Sequence, residues 1–209
     1  MPKVKANGVE LHYEDHGPTD APAILLVMGL GAQMIAWPDE FVHGLVGKGF
    51  RVIRYDNRDV GMSQRMEQAA TPNLVWSMLK ARFGLPLGVG YTLSDMAKDG
   101  IGLLDALDVE RAHVVGASMG GMIVQLMAAN HRERLLSMTS IMSSSGAPGL
   151  PGPRADIRRG MMANRPSGAD RDAAVAFGAA LVKSFSYPDP ARPENAHAEM
   201  TGLAFDRGY

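Results

Sequence analysis

Apolar and polar positions along this chain fall into a readable order of elements. Residues 4–15, VKANGVELHYED, alternate with period two around Asn7-Gly8 and predict two short antiparallel strands joined by a tight turn. AILLVMG (23–29) and FRVIRYD (50–56) are compact apolar runs, the pattern of parallel strands buried on both faces. Between them, WPDEFVHGLVGKG carries its apolar residues at helical spacing, with Pro38 suited to a first helical turn. TLSDMAKDGIGLLDALDV (92–109) predicts an amphipathic helix capped by Thr92 or Ser94. RAHVVGAS reads as the next buried strand, 119–130 as the next helix, and LLSMTSIMSSS as a further strand. Alternation of strand and helix from about 23 to 145 predicts a mostly parallel sheet with helices on both faces.

The pattern changes at SSSGAPGLPGPRAD (143–156), where glycine, proline and serine cluster as in a linker. Beyond it, 154–165, 169–186 and 190–206 read as helices interrupted by prolines, and no strand follows. The expected division is a core over 1–147 and a helical lid over 148–209. Composition narrows the chemistry. The chain holds 21 basic and 22 acidic side chains, a balance that gives no sign of a polyanion partner, so no nucleic acid is expected. It holds no cysteine, which removes disulfides, thiolate metal sites and cysteine nucleophiles together. The apolar run near AILLVMGLGA is far shorter than the ~20 residues that span a bilayer, so a cytoplasmic protein with no membrane partner is expected.

Gly116-Ala-Ser118-Met-Gly120 fits G-x-S-x-G in the setting that gives the motif meaning: an apolar strand runs into it and an apolar helix leaves it. A serine on a tight turn exposes its hydroxyl, and the flanking positions must lack bulk. A helix starting at Met119 directs its positive end toward a developing anion. Acyl transfer also needs oxyanion donors. The candidates are the N–H of Met119 and that of Leu30, in the MGLGAQ loop after the first buried strand. Gly29, Met34 and Trp37 are the candidate pocket residues, with plain core packing the alternative for Met34 and Trp37.

ILLVMGLGAQMIAWPDEF, FRVIRYDNRDVGMS and YTLSDMAKDGIGLLDALDVERAHVVGASMGGM together resemble the α/β-hydrolase fold superfamily, and within it the esterase branch that includes the anthracycline methylesterases. The resemblance implies an α/β-hydrolase core with Ser118 as nucleophile and the Leu30 and Met119 amides as oxyanion hole. Serine at 118 also departs from the dehalogenase and epoxide-hydrolase branches, which place aspartate there. Met28-Gly29 stands where many members have His-Gly, as in the methylesterase-like branch. The implied activity is hydrolysis of small to medium apolar carboxylic esters through an acyl-enzyme, without cofactor or metal.

In the superfamily the acid and the histidine follow the lid, in that order. This sequence ends at TGLAFDRGY, inside or just after the lid, so both groups are expected from outside it. His131 lies at the far end of the helix that starts at the nucleophile, and His197 in the lid. Ser143, Ser144 and Ser145 stand where some members carry an alternative acid. The expectation is therefore a core lacking its C-terminal strands, with a bare apolar edge at LLSMTSIMSSS. A complementing C-terminal chain of the same precursor, or a second copy, would cover that edge. The rival reading is a catalytically silent fragment or assembly module with a vestigial nucleophile. A dinucleotide site is disfavoured, because Met34 stands where G-x-G-x-x-G needs its third glycine. YDNRDVGMS reads as a turn in which Asp56, Arg58 and Asp59 brace backbone, and Asp95 and Asp99 as helix start and solvated face.

Overall fold

The computed structural model describes residues 2–66, 90–147, 149–152, 154–161, 163, 166 and 170–208. The chain forms two compact units, 1–145 and 146–209.

In the first unit, β1 (Lys3–Ala6) and β2 (Val9–His16) make the predicted hairpin. Asn7 (φ 48°) and Gly8 (φ 83°) both hold the left-handed backbone that a two-residue turn of this hand requires. Then follow β3 (Ala23–Val27), a single 3-10 turn (Met34–Ala36), α1 (Asp39–Val46) and β4 (Arg51–Tyr55). After the undescribed stretch come α2 (Leu93–Ala106), β5 (Ala112–Ala117), α3 (Met119–Asn130) and β6 (Leu135–Ile141). Six strands form one sheet in the order β1-β2-β4-β3-β5-β6, and β4, β3, β5 and β6 run parallel. Every residue of β3 and β4 is buried, so neither strand shows the polar alternation of a one-sided sheet.

The period of two still sorts the side chains into two layers. Ile24, Leu26 and Val52 face Trp37 and Val42 beside α1, whereas Leu25, Val27, Ile53 and Tyr55 pack with residues of α2 and α3 such as Leu103, Leu104, Ile123 and Met127. Thr92 caps α2: its hydroxyl accepts from the Asp95 N–H while the Asp95 carboxylate accepts from the Thr92 N–H. That resolves the choice between Thr92 and Ser94.

Among the described residues β6 pairs with β5 alone. Six of its seven residues are exposed, including Leu136, Met138 and Ile141, and Met142 follows at 68% exposure.

The second unit contains α4 (Ala155–Met161), α5 (Arg171–Phe185) and α6 (Ala196–Gly208). The ends of the first two stretches predicted helical, residues 162, 164, 165 and 169, lie outside the described residues. Asp170 caps α5 by accepting from the Ala173 N–H at 3.0 Å. Arg171 and Asp206 tie α5 to α6 through two hydrogen bonds of 2.7 Å. The helices approach closely at Gly178, where a Cβ would stand 2.4 Å from Thr201 Cγ2.

Candidate active site

Ser118 sits between β5 and α3 with φ 55° and ψ −120°, a backbone conformation that costs a non-glycine residue of order 1–3 kcal/mol. Its surroundings hold it there. The Ser118 N–H donates to the Ile141 carbonyl at 2.9 Å, and its own carbonyl accepts from the Gly121 N–H at 2.9 Å. The turn closes only because two neighbours lack side chains. A Cβ on Gly116 would lie 2.1 Å from the Gly120 carbonyl oxygen, and one on Gly120 would lie 2.2 Å from that of Val27. The motif glycines are thus demanded by backbone-to-backbone contact.

The Ser118 hydroxyl caps no helix N–H, is half-buried, and has no hydrogen-bond partner among the described residues. It faces the loop after β3. A Cβ on Gly29 would lie 3.0 Å from Ser118 Cβ and 3.5 Å from Ser118 Oγ, so any side chain at 29 would crowd the nucleophile. The Leu30 side chain is 63% exposed. Gly31 takes φ 67°, and the Ala32 N–H closes the turn onto the Gly29 carbonyl at 3.2 Å. Met119, half-buried, begins α3 directly after the serine. Of the candidate pocket residues, Met34 and Trp37 are enclosed, at 0% and 7% exposure. The 3-10 turn carries Met34 inward, and the Trp37 ring stacks on Phe41 at 5.5 Å between centroids.

The loop after β4 buttresses this arrangement. Asp56, fully buried, accepts from the Met34 N–H at 2.8 Å and the Met62 N–H at 3.1 Å, and lies 3.7 Å from the buried His12 ring. Asn57 Nδ2 donates to the Met28 carbonyl at 2.9 Å, a contact that sequence reasoning did not single out. Asp59, at φ 66°, accepts from the Met66 N–H through its carboxylate. Arg58 makes a buried two-point pair with Asp99, its Nε 2.7 Å from Oδ2. Asp99 therefore does not occupy a solvated helix face. It is 2% exposed, and Asn7 Nδ2 also donates to it at 2.8 Å. Burial works against the Arg58 charge, but the hydrogen bonds and charge of Asp99 outweigh it and hold the guanidinium above its ordinary pKa. Burial, aided by a hydrogen bond to Asp59, pushes the Tyr91 phenol up to about 12.

The five histidines of the first unit are engaged elsewhere or distant. His12 lies against Asp56, His16 against Glu14 at 3.2 Å and His43 against the His16 ring. His113 lies 2.8 Å from Ser137 Oγ. His131 follows the twelve-residue α3, some 20 Å along its axis from Ser118. In the second unit, His197 Nε2 lies 3.5 Å from Arg192. Among the described residues no group of three or more histidine, aspartate or glutamate side chains could hold a metal ion. No helix among them is long and apolar enough to cross a membrane.

A relative from Streptomyces peucetius, rhodomycin D methylesterase, is 39% identical over 128 residues, covering 61% of this chain and 37% of its own. The chain spans about two-fifths of the length of the curated relatives it matches. The meta-cleavage product hydrolase of Pseudomonas fluorescens superposes on 99% of this chain and 63% of its own, with a TM-score of 0.70 and 21% identity. The enol-lactonase of Burkholderia xenovorans covers 99% of this chain and 73% of its own, with a TM-score of 0.59 and 25% identity. The family model described as alpha/beta hydrolase fold matches residues 22–187. With that match over most of its length and a glycine-flanked serine at the turn after β5, this chain belongs to the α/β-hydrolase fold family.

Proposed function

We propose that Ser118 is the nucleophile of a serine carboxylic ester hydrolase acting on small to medium apolar esters. One observation carries this reading: a strained serine whose hydroxyl lies against Gly29 at the head of the loop that would supply the second oxyanion donor. In the first step Ser118 Oγ bonds to the ester carbonyl carbon while a histidine takes the hydroxyl proton. The carbonyl oxygen becomes an oxyanion held by the Leu30 and Met119 N–H groups. Collapse breaks the carbon–oxygen bond to the alcohol, which leaves with the histidine's proton. Water then repeats the cycle on the acyl-enzyme and releases the acid. Gly29 lets the acyl group approach, with Met34 and Trp37 as apolar backing behind the loop.

The acid and histidine are proposed to come from a complementing C-terminal chain of the same precursor, added at the bare β6 edge, which a second copy would otherwise cover. The exposed apolar residues of β6 support such a partner. A silent fragment with a vestigial nucleophile is the second reading, favoured by the unpartnered Ser118 hydroxyl. Fluorophosphonate labelling and p-nitrophenyl acetate turnover discriminate. The ester hydrolase labels at Ser118 and loses label and turnover together in Ser118→Ala. A protein that takes no label, or whose turnover survives that substitution, is not this enzyme.

A further inference from the structure

We infer that Asn57 is a positioning residue for the oxyanion loop, an inference that rests on the serine-hydrolase reading. β3 ends at Val27, so the carbonyl of Met28 lies beyond the last strand residue. Asn57 Nδ2 supplies it with a donor at 2.9 Å. On another side the same carbonyl oxygen meets the first turn of α3, 2.8 Å from where a Gly120 Cβ would stand. The Met28 peptide is thereby trapped between the β4 loop and the nucleophile's own helix. A peptide unit is planar, so fixing this carbonyl also fixes the direction of the Gly29 N–H and the place of Gly29 Cα. Gly29 in turn touches Ser118 and carries the Leu30 peptide.

The other end of the loop is tied from the adjacent residue, where Asp56 accepts from the Met34 N–H at 2.8 Å. Two consecutive side chains thus hold residues 28 and 34, and the six-residue step between them contains Leu30. Asn57 is 2% exposed, so its bond to Met28 is shielded from competing water. It makes no contact with an ester. Its part is to set the distance from the Leu30 N–H to the oxyanion, a quantity that matters in the transition state far more than in substrate binding.

Asn57→Leu removes the donor while keeping the branched heavy-atom skeleton, and Asn57→Ser serves as a smaller second variant should the first fail to fold. Fluorophosphonate labelling of the full chain separates rate from endpoint. The positioning role predicts labelling slowed about tenfold or more, since losing an oxyanion donor altogether costs ~10²–10³. The final stoichiometry stays complete, and kcat on p-nitrophenyl acetate falls while KM holds. Amide hydrogen exchange over residues 28–34 should quicken about fivefold, the weight of one buried hydrogen bond in a local opening. Asn57→Gln, which keeps an amide donor on a longer stem, should recover part of the rate. Unchanged labelling and exchange overturn the inference. So does a reduced endpoint at the original rate, the mark of a folding defect. If Ser118 of the unsubstituted chain never labels, the hydrolase reading falls and takes the catalytic role of Asn57 with it; exchange then shows independently whether the side chain anchors the loop.

Discussion

Ser118 combines two demands that oppose each other: a reactive hydroxyl needs a side chain, and a backbone at φ 55° favours none. The strain is therefore separable from the chemistry by substitution. Ser118→Ala removes the oxygen and keeps the Cβ, whereas Ser118→Gly removes both. The glycine variant should be more stable than the alanine variant by about 1–2 kcal/mol in urea unfolding, the reverse of their order in an ordinary helix. Equal stabilities would mean that the turn stores no strain. The serine was legible in the sequence because its requirements are local, two glycines two positions away with a strand before and a helix after. Asn57 was not legible. A single asparagine in a loop carries no pattern, and its partner at Met28 lies on a different strand end. The sequence left Met34 open between pocket lining and core packing; the inward 3-10 turn, not the apolar character of the residue, decides for enclosure.

Between elements, the first unit holds a buried pair of Arg58 and Asp99, which joins the loop after β4 to the middle of α2. Asn7 adds the hairpin to it through Asp99, and Gly102 permits that approach, since a Cβ there would stand 3.0 Å from the Asn7 nitrogen. Periodicity identified α2 and its capped start but misplaced Asp99. Asp95 and Asp99 are one turn apart, and only the partner 41 residues away distinguishes the cap from the buried charge. Removing one partner strands the other charge out of water. Asp99→Ala should therefore cost about 3–5 kcal/mol of stability, and the double change Arg58→Met with Asp99→Leu should cost less than either charge-stranding single change. Thermal or urea unfolding of the three variants tests this. A double variant as unstable as the sum of the singles would show that the two losses are independent, so that no stranded charge accounts for them.

At the scale of the molecule, the alternation of strands and helices was written in hydrophobic period, so the mostly parallel sheet could be foreseen. Which strand lies at the margin follows from topology. β6 is a seven-residue strand without a charged side chain, and it bears Leu136, Met138 and Ile141 in the open at 44%, 41% and 39% exposure. A natural edge is ordinarily interrupted by a lysine, a proline or a bulge. β6 has one such interruption, a register shift that leaves Leu136 between the pairs Ala112–Leu135 and His113–Ser137, but no lysine and no proline. The proposed partner strand accounts for the missing charge, and it bears on the nucleophile, because the carbonyl of Ile141 at the end of β6 accepts from the Ser118 N–H. A lysine placed in the strand should therefore separate association from folding. In Met138→Lys, sedimentation at micromolar concentration should shift from a larger species toward the 22.4 kDa chain, while the melting transition of the isolated chain moves little. If the unsubstituted chain already sediments as a well-behaved monomer, β6 needs no partner and the acid and histidine must be sought by another route. If it associates and Met138→Lys leaves that association intact, the contact lies on another surface.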